Sequence, residues 1–126
     1  EQDWQEALNH YLAALAIPEL PDAFRAEALA HVGTIYADGN RVTPNQEKAV
    51  YYYEEALAMR ILNDEPRLSV LMKIGTLYFD DSDRTADWQK IFGYYQEALE
   101  LAHALGHHKA IELLEPMMDK LKIILL

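Results

Sequence analysis

The sequence predicts an all-α fold of stacked helix pairs, and three observations carry the prediction. Apolar residues recur at helical spacing in six segments, separated by proline, glycine or acidic turns. Landmark residues return at a step of 42 in a chain of 126: Gly33-Thr34-Ile35-Tyr36 as Gly75-Thr76-Leu77-Tyr78, Tyr11 as Tyr53 and Tyr95, Ala14-Leu15 as Ala56-Leu57 and Ala98-Leu99. Composition excludes a disordered chain, since 51% of the residues are hydrophobic and 10% aromatic. A repeat of this length describes small helical units stacked in line, none able to bury its apolar face alone. The expectation is an α-solenoid of about six antiparallel helices, forming a single domain over residues 1–126.

Each helix has its own signals. The first is expected over residues 3–17, with Asp3 as N-cap and Glu6 in the capping-box position. Trp4, Ala7, Leu8, Tyr11, Leu12, Ala14 and Leu15 form its broad apolar face, and Pro18 and Pro21 interrupt the pattern. Asp22 opens a second helix, residues 22–38, which Gly39-Asn40 stops because either residue tolerates the left-handed conformation. Thr43 as N-cap, Pro44 at the first position and Gln46 as capping partner start a third, residues 44–62. Asn63-Asp64-Glu65-Pro66 restarts the chain into a fourth, residues 66–79. Thr85 or Asp87 caps a fifth, residues 86–105, and Gly106 separates it from a sixth, residues 107–124. Pro116 predicts a kink or a broken turn in that last helix.

Gly33 and Gly75 stand in mid-helix, where glycine costs about 1 kcal/mol relative to alanine. That cost makes sense if a neighbouring helix needs the vacated space. Tyr53 and Tyr95, set among Ala49, Ala56 and Ala98, are the side chains expected to fill it. In Tyr51-Tyr52-Tyr53 the rings leave the helix in directions about 100° apart. Tyr53 is assigned to the core, Tyr52 and Tyr94 to support of the next layer, and Tyr51 to the surface. The sixth helix departs from the pattern. Leu113 falls in step with Leu71, but Pro116, Met117 and Lys120 take the places of Ile74, Gly75 and Tyr78. Its apolar end, with Leu121, Ile124 and Leu125, either seals the stack, continues a longer solenoid or self-associates.

These residues resemble the tetratricopeptide repeat family. Leu29, Val32-Gly33 and Tyr36 match the pattern of that family's first helix, as do Leu71, Ile74-Gly75 and Tyr78. Ala7-Tyr11-Ala14 and Ala49-Tyr53-Ala56 match its second helix, and Ile91-Tyr95-Ala98 does so with the first alanine enlarged. The unit is longer than the common repeat, as in the kinesin-light-chain-like, Rap/LGN-like and Sel1-like relatives. The resemblance implies a right-handed solenoid whose first-type helices line a concave binding surface. It places the candidate contact residues at Glu27, Thr34 and Asp38 on the second helix and at Met72, Thr76, Phe79 and Asp80 on the fourth, with Ala30, Ala37 and Ser69 beside them. Thr34 and Thr76 stand where the family's carboxylate clamp has asparagine, and Lys73 alone cannot supply convergent donors, so that clamp is not expected.

The functional expectation is a non-catalytic adaptor or scaffold that binds a protein or peptide. The alternative is a structural unit that self-associates through Leu121, Ile124 and Leu125. A net charge of −10 disfavours nucleic acid and anionic membrane and favours a partner with basic residues. The chain contains no cysteine, which removes disulfides, thiol nucleophiles and thiolate metal sites. No apolar run reaches the roughly 18 residues of a membrane span. Without a targeting pattern the expected compartment is the cytoplasm, and the opening on Glu1 in mid-pattern reads as a trimmed or processed chain.

Neither serine, Ser69 nor Ser82, sits in a nucleophile elbow, so no enzyme, catalytic residue or cofactor is expected. Asp81, Asp83 and Thr85 start a calcium-loop spacing, which fails at Ala86 and Phe92, leaving a solvated capping turn. His103, His107, His108 and Glu112 show metal-ligand spacing only if Gly106 does not break the helix, so turn capping is expected and no metal. The expected state is a monomer or a weak homodimer.

Overall fold

A computed structural model describes residues 4–38, 45–80 and 87–126, with backbone alone at 79 and 80. Six helices are present, α1 Trp4–Leu15, α2 Asp22–Asp38, α3 Gln46–Ala58, α4 Asp64–Asp80, α5 Trp88–Leu105 and α6 His108–Ile124, and no strand occurs among the described residues. Asp3, Gly39-Asn40, Thr43-Pro44 and the acidic turn from Asp81 to Ala86 lie outside those residues. The chain divides into two compact units, Glu1–Pro66 and Arg67–Leu126.

In the first unit α2 packs against both α1 and α3. Ala26, Ala28, Leu29, Val32, Gly33 and Ile35 are all buried, which covers two sides of one helix. Leu8, Val32 and Ile35 form a cluster closed by Trp4, Ala7, Tyr11, Leu12, Leu15, Tyr36 and Tyr52. Each large apolar side chain withdrawn from water in this way contributes about 1.5–3 kcal/mol. Arg25 completes the joint between α1 and α2. Its guanidinium donates to the carbonyls of Leu15 at 3.1 Å and Ile17 at 2.9 Å, capping the end of α1 with positive charge.

The glycines work as expected. A Cβ on Gly33 would lie 2.7 Å from Cδ1 of Tyr53, and one on Gly75 would lie 2.9 Å from Cε1 of Tyr95. Both rings are buried. A second pairing accompanies the first. Tyr36 stacks on Tyr52 at 5.9 Å with Lys48 5.2 Å from the Tyr36 ring, and Tyr78 stacks on Tyr94 at 6.1 Å with Lys90 5.4 Å from the Tyr78 ring. Tyr52 and Tyr94 thus pack on the helix that precedes their own.

Helix ends correct several expectations. The N-cap of α3 is Asn45, whose side chain accepts from the Lys48 N–H at 3.0 Å, so the helix opens at Gln46. Asp87 caps α5 identically, accepting from the Lys90 N–H at 3.1 Å. Helix α3 stops at Ala58 instead of Leu62, because Arg60 turns left-handed at φ 57° while its N–H donates to Leu57 O at 3.1 Å. Helix α4 begins at Asp64, with Pro66 inside its first turn, where a missing N–H leaves no intrahelical bond unmade.

The second unit buries Leu68, Val70, Leu71, Ile74 and Gly75 of α4 and Ile91, Tyr95, Ala98 and Ala102 of α5. Helix α6 packs on α5 through Ala110, Leu114, Met118 and Leu121. The broken turn considered for Pro116 does not occur: the helix runs through it, and Pro116 faces water, where the carbonyl it leaves without an intrahelical partner can be solvated. Leu113 is 57% exposed where Leu71 is 1% exposed, so α6 does not present the buried face of α4. Its core stripe passes through Leu114 and Met118, because methionines replace the glycine-threonine pair that brings a tyrosine helix close.

Alanine tests the close approach. A Cβ added to Gly93 would meet nothing within 4 Å, so Gly93→Ala should stabilise by about 0.5–1 kcal/mol through helix propensity. Gly33→Ala and Gly75→Ala should instead destabilise by about 1–3 kcal/mol, because a ring must move. Urea unfolding followed by circular dichroism reads all three, and shifts of the same sign throughout would contradict the packing argument.

Candidate protein-interaction site

Beyond Arg25, the water-facing positions of α2 are set by what its neighbours leave uncovered. Glu27 and His31 are exposed, Ala30 and Thr34 half-buried, and Asp38 is exposed at the end. Glu27, Thr34 and Asp38 therefore share one helix of the first unit. In the second unit Ser69 and Thr76 are exposed, and Met72 and Lys73 are half-buried. Phe79 and Asp80 belong to the last turn of α4, and their side chains lie outside the described residues.

The two threonines have structural work of their own. Thr34 donates to the Ala30 carbonyl at 3.1 Å, and its oxygen lies 2.8 Å from Tyr53 Oη. Thr76 donates to the Met72 carbonyl at 2.9 Å and lies 3.1 Å from Tyr95 Oη. With each threonine proton given to the preceding turn, the tyrosine hydroxyl is left as the donor between the two helices. These hydroxyls are engaged by the preceding turn and by the buried rings.

A cleft between α1 and α2 adds what the spacing of residues did not reveal. Trp4, Ala7 and Tyr11 face His31, Thr34 and Ile35 around about 240 Å³ of open space. Tyr11 stacks on His31 with ring centroids 5.0 Å apart and planes 14° from parallel. The volume falls below the roughly 300–1,000 Å³ typical of small-molecule sites. Nothing in the sequence pattern joined Tyr11 to His31; the only signal was that Tyr11 repeats Tyr53 and Tyr95.

At the other end, Leu121 is fully buried in the second unit, Leu125 is half-buried, and Ile124 is exposed with Ile123 and Leu126. Of the three self-association residues, Leu121 is thus occupied by the chain's own core. Gly106 is left-handed at φ 66°, and His107 caps α6 by accepting the Ala110 N–H on Nδ1 at 3.2 Å. His103 instead faces Glu115 at 4.0 Å. Among the described residues no group of three or more histidines and carboxylates is placed to hold a metal, and no helix is long and apolar enough to cross a membrane.

Burial pushes the Tyr53 hydroxyl up from 10.0 to about 12; the Thr34 hydroxyl pulls the other way and the charge of Asp38 adds to the rise. The folded state therefore keeps a proton that the unfolded chain has lost. Stability tied to this group is intact below pH 10 and falls between pH 10.0 and about 12, with a limiting slope of about 1.4 kcal/mol per pH unit. Chemical denaturation at stepped pH should show this decline in the parent chain and a shallower one in Tyr53→Phe; identical profiles would refute the assignment.

Comparison with known proteins adds no name to this geometry: no family model, no curated protein and no solved structure matches the chain.

Proposed function

We infer that the chain is a non-catalytic helical-repeat module that binds a protein or peptide, as its resemblance to tetratricopeptide repeats implies. The observation that carries this reading is a recurring strip. Glu27, Ala30, His31 and Thr34 on α2 and Ser69, Met72, Lys73 and Thr76 on α4 occupy the same four places of the 42-residue unit. They are the water-facing positions of helix stretches otherwise covered by packing. Glu27 and Asp38 give the α2 strip negative charge, and the chain carries −10 in all, which favours a ligand with lysine or arginine.

A helical peptide library displayed on phage and selected on the full chain tests this. Enriched peptides should carry basic residues and lose affinity roughly tenfold when Glu27→Lys and Asp38→Lys are combined, with weaker binding in high salt. Equal binding to the double variant, or no enrichment, would count against the reading. A second reading, self-association through α6, is favoured by Ile123 standing 70% exposed beside Ile124 and Leu126. Sedimentation over a concentration series decides it, because Ile123→Lys with Ile124→Lys should then abolish a dimer.

A further inference from the structure

Among the described residues, three helices are opened by a side chain in the same way. Asn45 Oδ1 accepts the Lys48 N–H at 3.0 Å, Asp87 Oδ1 accepts the Lys90 N–H at 3.1 Å, and His107 Nδ1 accepts the Ala110 N–H at 3.2 Å. The three acceptors differ in their response to protons. An amide oxygen keeps its lone pairs throughout the neutral range, and a carboxylate ordinarily keeps its charge down to about pH 4. Imidazole accepts on one nitrogen only while it is neutral; once protonated, both nitrogens donate. Of these three caps, only that of α6 can be switched off between pH 8 and pH 5.

The backbone at His107 is held without its ring. Gly106 is left-handed at φ 66°, its N–H donates to the His103 carbonyl at 3.1 Å, and the His107 N–H donates to that of Ala102 at 2.9 Å. Those bonds close the end of α5 and do not titrate. The half-buried ring is aimed the other way, at the first turn of α6, where Ala110 is buried. Protonation therefore leaves the turn in place and sets a ring N–H against the Ala110 N–H. The ring must withdraw, and the opening turn of α6 loses its acceptor. Positive charge also opposes the dipole at a helix N-terminus, whereas the carbonyl end of α5 attracts it.

Other ionisable groups belong to the same joint. Glu100 and His103 stand on α5, and His108, Lys109, Glu112 and Glu115 on α6. From α4, Arg67 reaches Glu97 of α5 at 3.8 Å. His103 faces Glu115 at 4.0 Å with both side chains exposed, so charging His103 strengthens the tie between α5 and the middle of α6. Acid thus holds α6 at its middle while uncapping its first turn. We propose that His107 is a proton-operated cap: neutral, it closes the first turn of α6, and that turn opens as pH falls. The folded joint favours the neutral ring, so this stability is present at high pH and lost on acidification. The device is independent of what the module binds.

Amide hydrogen exchange of Ala110 in the full chain, corrected for the intrinsic rate at each pH, reads the cap. Protection should fall roughly fivefold from pH 8 to pH 5, the loss that removal of an N-cap brings. His107→Asn supplies an acceptor that does not titrate and should keep the high protection at both values. His107→Ala should show the low protection at both. A variant combining His103→Gln with His108→Gln should respond as the parent does. Equal protection at the two pH values in the parent overturns the proposal. A response that survives in His107→Asn, or one that vanishes in the double glutamine variant, overturns it equally, by placing the switch on another histidine.

Discussion

The seating of a tyrosine ring in the space of a missing side chain is the contact on which the rest of the structure depends. A glycine in mid-helix costs helix stability, and here the cost is offset by burying a whole aromatic face and satisfying its hydroxyl with the adjacent threonine. Once Tyr53 lies on Gly33, the rotation of α3 about its axis is fixed. Tyr52 then reaches Tyr36, and Lys48 covers the Tyr36 ring. Asn45 begins the helix at the point where this register can be kept. The second unit reproduces every element of the set with Gly75, Tyr95, Tyr94, Lys90 and Asp87.

Much of this is legible in the residues because the repeat places its large and small partners at fixed offsets. Gly33 with Tyr53 and Gly75 with Tyr95 read as complementary volumes from the sequence alone. The caps are less legible. Asn45 carries no strong local signal, yet its side chain accepts a helix N–H, and its own N–H donates to the Tyr36 carbonyl of α2 at 3.1 Å, a long-range tie that periodicity does not show. The anchoring of α1 by Arg25 is invisible for a different reason: a guanidinium reaching backbone carbonyls of another helix leaves no periodic trace. Leu113 misleads because an equal step in sequence does not guarantee an equal place in space, and a helix without the glycine is free to rotate.

The candidate contact strips are legible as positions, while the duties of their side chains are not. Thr34 and Thr76 look like surface residues of a binding helix and turn out to serve the buried tyrosines as well. Their hydroxyls are already engaged, so Glu27, His31 and Asp38, which are exposed, carry the polar character of that face in the first unit. The Tyr11–His31 stack lies beyond any pattern argument, because it depends on how far apart α1 and α2 stand.

The sequence separation of the lock bears on how quickly the chain orders. Thr34 meets Tyr53, and Thr76 meets Tyr95, across 19 residues in each case. Closing so short a loop costs little chain entropy, and a topology made of such closures has low contact order, the regime of fast-folding helical proteins. Both locks close over the same span, so neither half of the sequence must wait for a long-range encounter, and a ribosome can release the first ring-and-glycine pair for folding while the second is still being translated.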